Sequence, residues 1–388
     1  MTEPKSVVLP LHHGSLFFGD AKIIRFSLFP NTHGLFFGKF VRINIKKYTM
    51  YNGKKLILHN LDDNYLFEKK IKKFLVEWCS EQKTVSVQTS GSTGKPKVFF
   101  IEKDKMRHSA TMTCNFLGLN EGDTALICLP VEYISGKMMV VRSMIRNLKA
   151  YVSEPSIQPL KNLEQKIDFC ALTPLQVENS LDKIHWIKKI IIGGAAVSES
   201  LKNKIFESLG ENASTQIFET YGMSETLSHI ALKEIYPKTE TYFTIFEGVA
   251  IATDSRGCLT INAPQFNSQL LVTNDLVEIK NTNQFRFLGR VDNVINSGGA
   301  KIFPEQLEAL VKKSIDREVV FIGIEDESLG QKLIAVVEGP FSEEIEEAII
   351  NANYEKSFHK PKEILFLNEL PRTPNGKISR LQLKELLQ

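Results

Sequence analysis

The chain has 388 residues, 43% of them hydrophobic and 24% charged, with a formal net charge of +3. This is a globular composition with enough apolar content for a large core and enough length for two domains. So small a charge, with no Lys/Arg run interleaved with aromatics, excludes nucleic acid as an expected partner, and no apolar run reaches the roughly 18 to 20 residues of a membrane span.

The first stretch, residues 1–49, is rich in Phe, Gly and His and carries seven Lys and Arg against two acids. It reads as a pair of β-hairpins or an arm. Met50 opens a more usual composition, so 1–49 is expected to be an atypical N-terminal extension. His12, His13, Gly14, Asp20 and Lys22 interrupt any secretory apolar stretch, and a cytoplasmic location is expected.

From about residue 84 short β-branched runs alternate with helical patterns, which predicts a doubly wound α/β sheet. The expected strands are "TVSVQTS", "TALICLP", "IDFCALTP", "KKIIIGG" and "TQIFETYG". Between them "SESLKNKIFESLG" is the clearest helix, with Ser198 as N-cap, Leu201, Ile205 and Leu209 at fourfold spacing, and Gly210 as the stop. The runs "YFTIFEGVAIAT", "CLTINAP", "LLVTNDLVEIK" and "QFRFLG" predict a small antiparallel β subdomain. After "LGRVDN", Pro304 opens a helix with Leu307, Leu310 and Val311 on one face. The strand-like runs "VVFIGI", "KLIAVVEG" and "EILFLNEL" around "SEEIEEAIINANYEK" then predict a smaller α+β domain. The expected domains are therefore 50–290 and 291–388, with the boundary at Arg290 to Asn293.

The five cysteines, Cys79, Cys114, Cys128, Cys170 and Cys258, form no CxxC pair and sit mostly in apolar runs, as buried thiols of a reducing compartment do. The eight histidines, His229 among them, show no ligand spacing, so transition-metal chemistry is not expected. The chemical signal is "TSGSTGKPK", Thr89 to Lys97. Gly91 and Gly94 are two residues apart and Lys95 precedes Pro96, which breaks the Walker spacing and excludes a P-loop NTPase. Gly91 and Gly94 admit close backbone approach, Ser90, Ser92 and Thr93 donate hydrogen bonds, and Lys95 and Lys97 supply charge, all suited to a polyphosphate. By itself the stretch reads equally well as a Gly/Ser turn.

This loop resembles that of the adenylate-forming superfamily of acyl-CoA synthetases, luciferases and nonribosomal adenylation domains. Four more motifs of that superfamily follow in order: "ETYGMSE", "LVTNDLVEI", "GRVDNVINSGGAKIFPEQLE" and "PRTPNGKISR". Together they cover Thr89 to the C-terminus. The resemblance implies an ATP site from Thr89, Ser90, Gly91, Ser92, Thr93, Gly94, Lys97, Gly194, Ala195, Thr220, Tyr221, Gly222, Met223, Asp275 and Arg290. Tyr221 offers a face for adenine, Ser224 a hydroxyl near the α-phosphate, and Glu225 a carboxylate for Mg²⁺. Asp275 and Arg290 would reach the ribose, and Asp292 would be the hinge about which the C-terminal domain turns. Lys377 would be the mobile lysine that stabilises charge between carboxylate and α-phosphate. The superfamily commonly has glycine where this chain has Asn274, which leaves local backbone shape open.

Within the superfamily, "LPVEYISGKMMVVRSM", "ALTPLQVENSL", "IIIGGAAVSESL" and the "SGG" of "NVINSGGAKIFPEQLE" most resemble the o-succinylbenzoate:CoA ligases of menaquinone biosynthesis. The resemblance implies a small carboxylic acid, ATP and CoA as partners, and an acid site from Tyr133, Ser135, Gly136, Arg142 and Gly193. Those ligases usually have histidine where this chain has Tyr133, so no imidazole role carries over, and Tyr133 is either a pocket wall or an aromatic at the sheet edge. Arg142 is either a buried charge awaiting the acid's second carboxylate or one member of a solvated stripe with Arg146 and Lys149. Gly193, Gly194 and Ala195 either present backbone to ligands or form a close-packed turn. An adenylating ligase for another aryl or acyl acid, with CoA or a carrier-protein thiol as acceptor, is the enzymatic alternative, and a nucleotide-binding regulator without catalysis the non-enzymatic one. Homo-oligomerisation is left open.

Overall fold

The structure, a computed structural model, describes residues 65–88, 98–211, 214–372 and 378–387, together with backbone strands at Arg25–Ser27, Phe37–Lys39, Lys47–Tyr51 and Lys55–Asn60. Among the described residues one sheet runs through thirteen strands. Its parallel part has the order Gln216–Gly222, Ile187–Ile192, Ile167–Leu172, Thr124–Ile127, Lys149–Val152 and Lys55–Asn60. Lys47–Tyr51 pairs antiparallel with Lys55–Asn60, so this sheet edge extends to either side of Met50.

Period-two alternation puts apolar side chains on both faces of Thr124–Ile127, Ile167–Leu172 and Ile187–Ile192, as a sheet covered by helices on both sides requires. Ala125 and Ile127 face the core packed by Phe67, Ile71, Met106 and Met138, from the helices Tyr65–Cys79, Lys103–Phe116 and Ile134–Ile145. Leu126 and Cys128 face a second core with Leu201 and Ile205 of the helix Glu199–Leu209. That helix starts and stops where expected: Ser198 accepts a hydrogen bond from the Leu201 amide, and Gly210 has a φ of 64°.

Two expectations are sharpened. "TVSVQTS" does contain a strand, Thr84–Gln88, but it pairs antiparallel with Val98–Glu102 in a ribbon of its own. Nine residues separate the two strands, and a parallel neighbour would need a crossover of about a dozen or more. The antiparallel zone, Phe243–Ile245, Ala250–Thr253, Cys258–Asn262, Leu271–Asn281 and Gln284–Arg290, continues the large sheet. It joins through Ala231↔Ile245 and Leu232↔Thr244 on one side of Phe243–Ile245, and Phe243↔Phe285 and Thr244↔Gln284 on the other.

Beyond the 3-10 turn Val291–Asn293 lies a second sheet, of Ile295–Ser297, Ala300–Ile302, Val319–Asp326, Gly330–Glu338 and Glu363–Leu367. Phe321, Ala335 and Val337 pack with Leu307 and Val311 of the helix Pro304–Val311 and with Ile349 of Glu343–Ile350. On the other face Val320, Ile334 and Val336 meet Leu383 of the helix Arg380–Leu387. Arg380 reaches across to both carboxylate oxygens of Glu308, at 2.6 and 2.7 Å, and to the Phe321 carbonyl at 2.7 Å, binding two helices to one strand.

Candidate functional site

The carboxyl ends of adjacent parallel strands are where an open α/β sheet offers backbone groups to a ligand. Ile187–Ile192 and Gln216–Gly222 are such neighbours, and they lead into Gly193–Ala195 and Met223–Glu225 respectively. Gly194 and Ala195 are exposed, and Gly193 lies against Thr220. Buried Glu219 anchors this turn: one oxygen accepts the Val197 amide at 3.0 Å, and the Lys233 ammonium lies 2.8 Å from the other. Gly222 permits the reversal that follows, because a Cβ there would sit 2.4 Å from both the Ser228 carbonyl oxygen and the His229 Cα. The 3-10 turn Ser224–Thr226 then leaves Ser224 and Glu225 exposed, while the Thr226 hydroxyl accepts the Met223 amide at 3.0 Å.

Tyr221, Asp275, Arg290 and Asp292 form one connected group. The Tyr221 ring packs edge-on to Phe285, with centroids 4.9 Å apart, and its hydroxyl donates to Asp275 Oδ2 at 2.5 Å. Burial, reinforced by the Asp275 carboxylate, pushes that hydroxyl far above the usual tyrosine range. Arg290 donates to Asp275 Oδ1 at 3.3 Å and to Asp292 Oδ2 at 2.6 Å. The hydrogen bond from Arg290 holds the Asp292 carboxyl below its ordinary range. Asn274 also donates to Asp292 and accepts from Arg256 at 2.9 Å, and Arg256 is itself held by Asp254. Asp275 is nearly buried, whereas half of the Arg290 and Asp292 side chains is in solvent. The pair that resembles a ribose clamp is thus tied directly to the residue that resembles a hinge.

Of the acid-site candidates, Tyr133, Ser135, Gly136 and Arg142 lie at or in the helix Ile134–Ile145. The Gln88 amide donates to the Glu132 carbonyl at 3.1 Å, and Gln88 bridges to Tyr133 in parallel register, which sets the root of the glycine-rich loop beside Tyr133. Tyr133 is half-buried at the start of the helix Ile134–Ile145, and Ser135 is exposed. Gly136 is demanded by contact: a Cβ there would lie 2.3 Å from the Pro130 carbonyl oxygen.

Arg142 is 2% exposed, which decides against its belonging to a solvated stripe. Only Arg146, half-buried, and Lys149, exposed, face outwards. No carboxylate lies within 4 Å of the Arg142 guanidinium among the described residues. Nη2 donates to Ser228 Oγ at 3.1 Å, Nη1 touches the Met139 sulfur at 3.9 Å, and Nε has no acceptor. Burial pulls its pKa down to about 10, which still leaves it charged at neutral pH. Beyond Ser228 lie His229 and Thr113, both buried. Sequence reasoning passed over all three; the one signal was a histidine opening the apolar strand His229–Tyr236.

No group of three or more His, Cys, Asp or Glu able to hold a metal by themselves exists among the described residues. A lone exposed carboxylate such as Glu225 nevertheless fits Mg²⁺, which commonly takes one or two protein carboxylates and completes its shell with water and substrate phosphate. The loop Thr89–Lys97 and Lys377 lie outside the described residues, although the strands Thr84–Gln88 and Val98–Glu102 and the bridge between Arg372 and Ile378 flank them.

The chain is similar to several known proteins. The family described as AMP-binding enzyme matches residues 51–252. The 2-succinylbenzoate--CoA ligase of Listeria monocytogenes is 27% identical over 347 residues, covering 80% of this chain and 72% of that protein. The ligase of the same name from Lactococcus lactis is 27% identical over 331 residues, covering 79% and 72%. Among solved structures, an acyl-CoA synthetase (AMP-forming)/AMP-acid ligase II-like protein from Dyadobacter fermentans is 33% identical, with a TM-score of 0.56 over 83% of this chain and 94% of that one. The fold also matches o-succinylbenzoate coenzyme A synthetase from Bacillus subtilis, solved with ATP and magnesium, with a TM-score of 0.63 at 22% identity over 78% and 70%. With more than half of its length matched by that family, the chain belongs to the AMP-binding enzyme family.

Proposed function

We propose that the chain is an AMP-forming acid–thiol ligase that makes o-succinylbenzoyl-CoA from o-succinylbenzoate, ATP and CoA. Membership of the AMP-binding family and the names of its relatives support the reaction class. The observation that carries the substrate is Arg142, a buried guanidinium with an orphaned Nε and, among the described residues, no carboxylate beside it. An aromatic acid with a second carboxylate supplies the missing partner while the first carboxylate reacts.

In the first half-reaction the substrate carboxylate attacks the ATP α-phosphorus in line, forming the acyl-adenylate and releasing pyrophosphate. Asp275 and Arg290 hold the ribose, Tyr221 lies along the adenine, Thr220, Gly222, Met223, Gly194 and Ala195 supply the floor of the nucleotide site, and Gly193 lies beside the acid. The loop Thr89–Lys97 restrains the departing pyrophosphate, Ser224 contacts the α-phosphate, and Lys377 stabilises the charge that spreads there. Mg²⁺, held by Glu225, would supply positive charge to the phosphates. The C-terminal domain, 291–388, then turns about Asp292. This withdraws Lys377 and presents the Ser297 hairpin, and the CoA thiol displaces AMP from the acyl carbonyl.

A second reading, ligation of a different acid, is favoured by one observation: Tyr133 stands where the o-succinylbenzoate ligases usually have histidine. Purified protein incubated with ATP, Mg²⁺ and a panel of acids separates the two. The proposal expects CoA-dependent AMP release with o-succinylbenzoate at a kcat/KM at least tenfold above that with any other acid. Preference for a monocarboxylic acid would replace it by the second reading, and absence of pyrophosphate release with every acid would leave only a nucleotide-binding role.

A further inference from the structure

Arg142 does not stand alone. Ser228 Oγ lies 3.1 Å from its Nη2 and 3.4 Å from His229 Nδ1, His229 Nε2 lies 3.0 Å from Thr113 Oγ1, and Thr113 Oγ1 lies 3.0 Å from the Ser109 carbonyl oxygen. The two ends of this chain fix its direction. A guanidinium only donates and a carbonyl only accepts, so Ser228 Oγ accepts from Arg142 and the Thr113 hydroxyl hydrogen points to Ser109. The Ser228 hydrogen is then available to His229 Nδ1, and the hydrogen on His229 Nε2 goes to Thr113. For a neutral ring every intermediate donor then has one acceptor, and the imidazole is the Nε2–H tautomer. The relay crosses from the helix Lys103–Phe116 through the strand His229–Tyr236 to the helix Ile134–Ile145, and its one half-open member is Ser228.

We propose that His229 is a positioning residue for acid recognition: as a neutral Nε2–H imidazole it receives the Ser228 hydrogen and keeps the Ser228 oxygen turned to Arg142. This orients the guanidinium so that its unpartnered Nε–H edge is kept for the substrate's second carboxylate. The inference rests on the reading of Arg142 as the acid's anchor and adds the device that aims it. Burial and the neighbouring Arg142 charge both hold His229 well below the usual histidine range, in agreement with a neutral ring. Phe246 sets the ring from the side, edge-to-face at 5.4 Å between centroids. The device costs little in reorganisation, because the chain holds its hydrogens in place before substrate arrives.

Two measurements test it. Nitrogen-15 spectra of the full chain labelled at histidine, with His229 assigned by its loss in His229→Asn, are expected to show the Nε2–H tautomer at pH 7. In steady-state kinetics His229→Leu is expected to raise the KM for o-succinylbenzoate about tenfold, the scale of one lost hydrogen bond to a charged group. The KM for ATP should stay within about twofold, and His229→Asn, which restores an acceptor near the Nδ1 position, should recover most of the loss. An Nδ1–H tautomer or an imidazolium overturns the proposal even if the leucine variant does not fold. An unchanged KM in His229→Leu, with a raised KM in Arg142→Ala, also overturns it while leaving the Arg142 reading intact. An unchanged KM in both variants removes that reading and the relay with it.

Discussion

Asn274 donates its side-chain amide to both carboxylate oxygens of Asp292, at 3.0 and 3.2 Å. The superfamily commonly has glycine at this position, and glycine can make neither bond. Replacing Asn274 by Gly leaves Asp292 to Arg290 alone. Because the pair is half-exposed, the loss is expected to be about 1 kcal/mol or less. The expected outcome is a several-fold faster protease cleavage of the segment Arg290–Val294, measured on the full chain without ligand. Cleavage at an unchanged rate would mean that Arg290 suffices to hold the hinge.

Arg142 is expected to cost stability and confer affinity. Removing an unpaired buried charge in favour of an apolar chain of similar length is neutral or stabilising. Arg142→Met should therefore melt at the original Tm or about 2 to 4 °C above it. The same variant should lose about 100-fold in kcat/KM for o-succinylbenzoate, the scale of a desolvated charge pair. A large fall in Tm would show that Arg142 is structural.

His229 makes stability depend on pH. Its folded-state pKa lies below the ordinary value of about 6.5 because burial and then Arg142 disfavour the imidazolium. Below pH about 6.5 the unfolded chain therefore binds a proton that the folded chain refuses, so stability is full above that pH and falls as pH drops towards the folded pKa. The slope attributable to this group reaches at most about 1.4 kcal/mol per pH unit. Denaturant melts between pH 7 and pH 5 should show a shallower slope in His229→Asn than in the parent chain. Parallel slopes would mean that His229 is protonated equally in both states.

Lys377 separates the two half-reactions. Lys377→Ala is expected to lower pyrophosphate release by about 100-fold or more, as loss of a charge at a developing anion does. Thioester formation from added acyl-adenylate and CoA should remain within about threefold of the parent. Normal adenylation with slowed thioester formation would reverse the role given to this lysine.

Sequence alone determined which chemistry to look for and most of the local structure. The five ordered motifs pointed to an adenylation site, and Ser198, Leu201, Ile205 and Gly210 marked one helix from cap to stop, because caps and apolar periodicity are properties of neighbouring residues. The short apolar runs in "TALICLP" and "KKIIIGG" likewise marked strands of a doubly wound sheet. Tertiary structure decided the rest, where residues far apart meet. Helical spacing could not separate a buried Arg142 from a solvated stripe, since both readings satisfy the same period, and only the packing of the helix Ile134–Ile145 put Arg142 inside and Arg146 towards the surface. Ser228 lies 86 positions from Arg142, and His229 lies 116 positions from Thr113. No local pattern pairs such residues. The chain reversal after Gly222 brings them together, and the donor-only guanidinium at one end and the acceptor-only carbonyl at the other give their hydrogen bonds a direction.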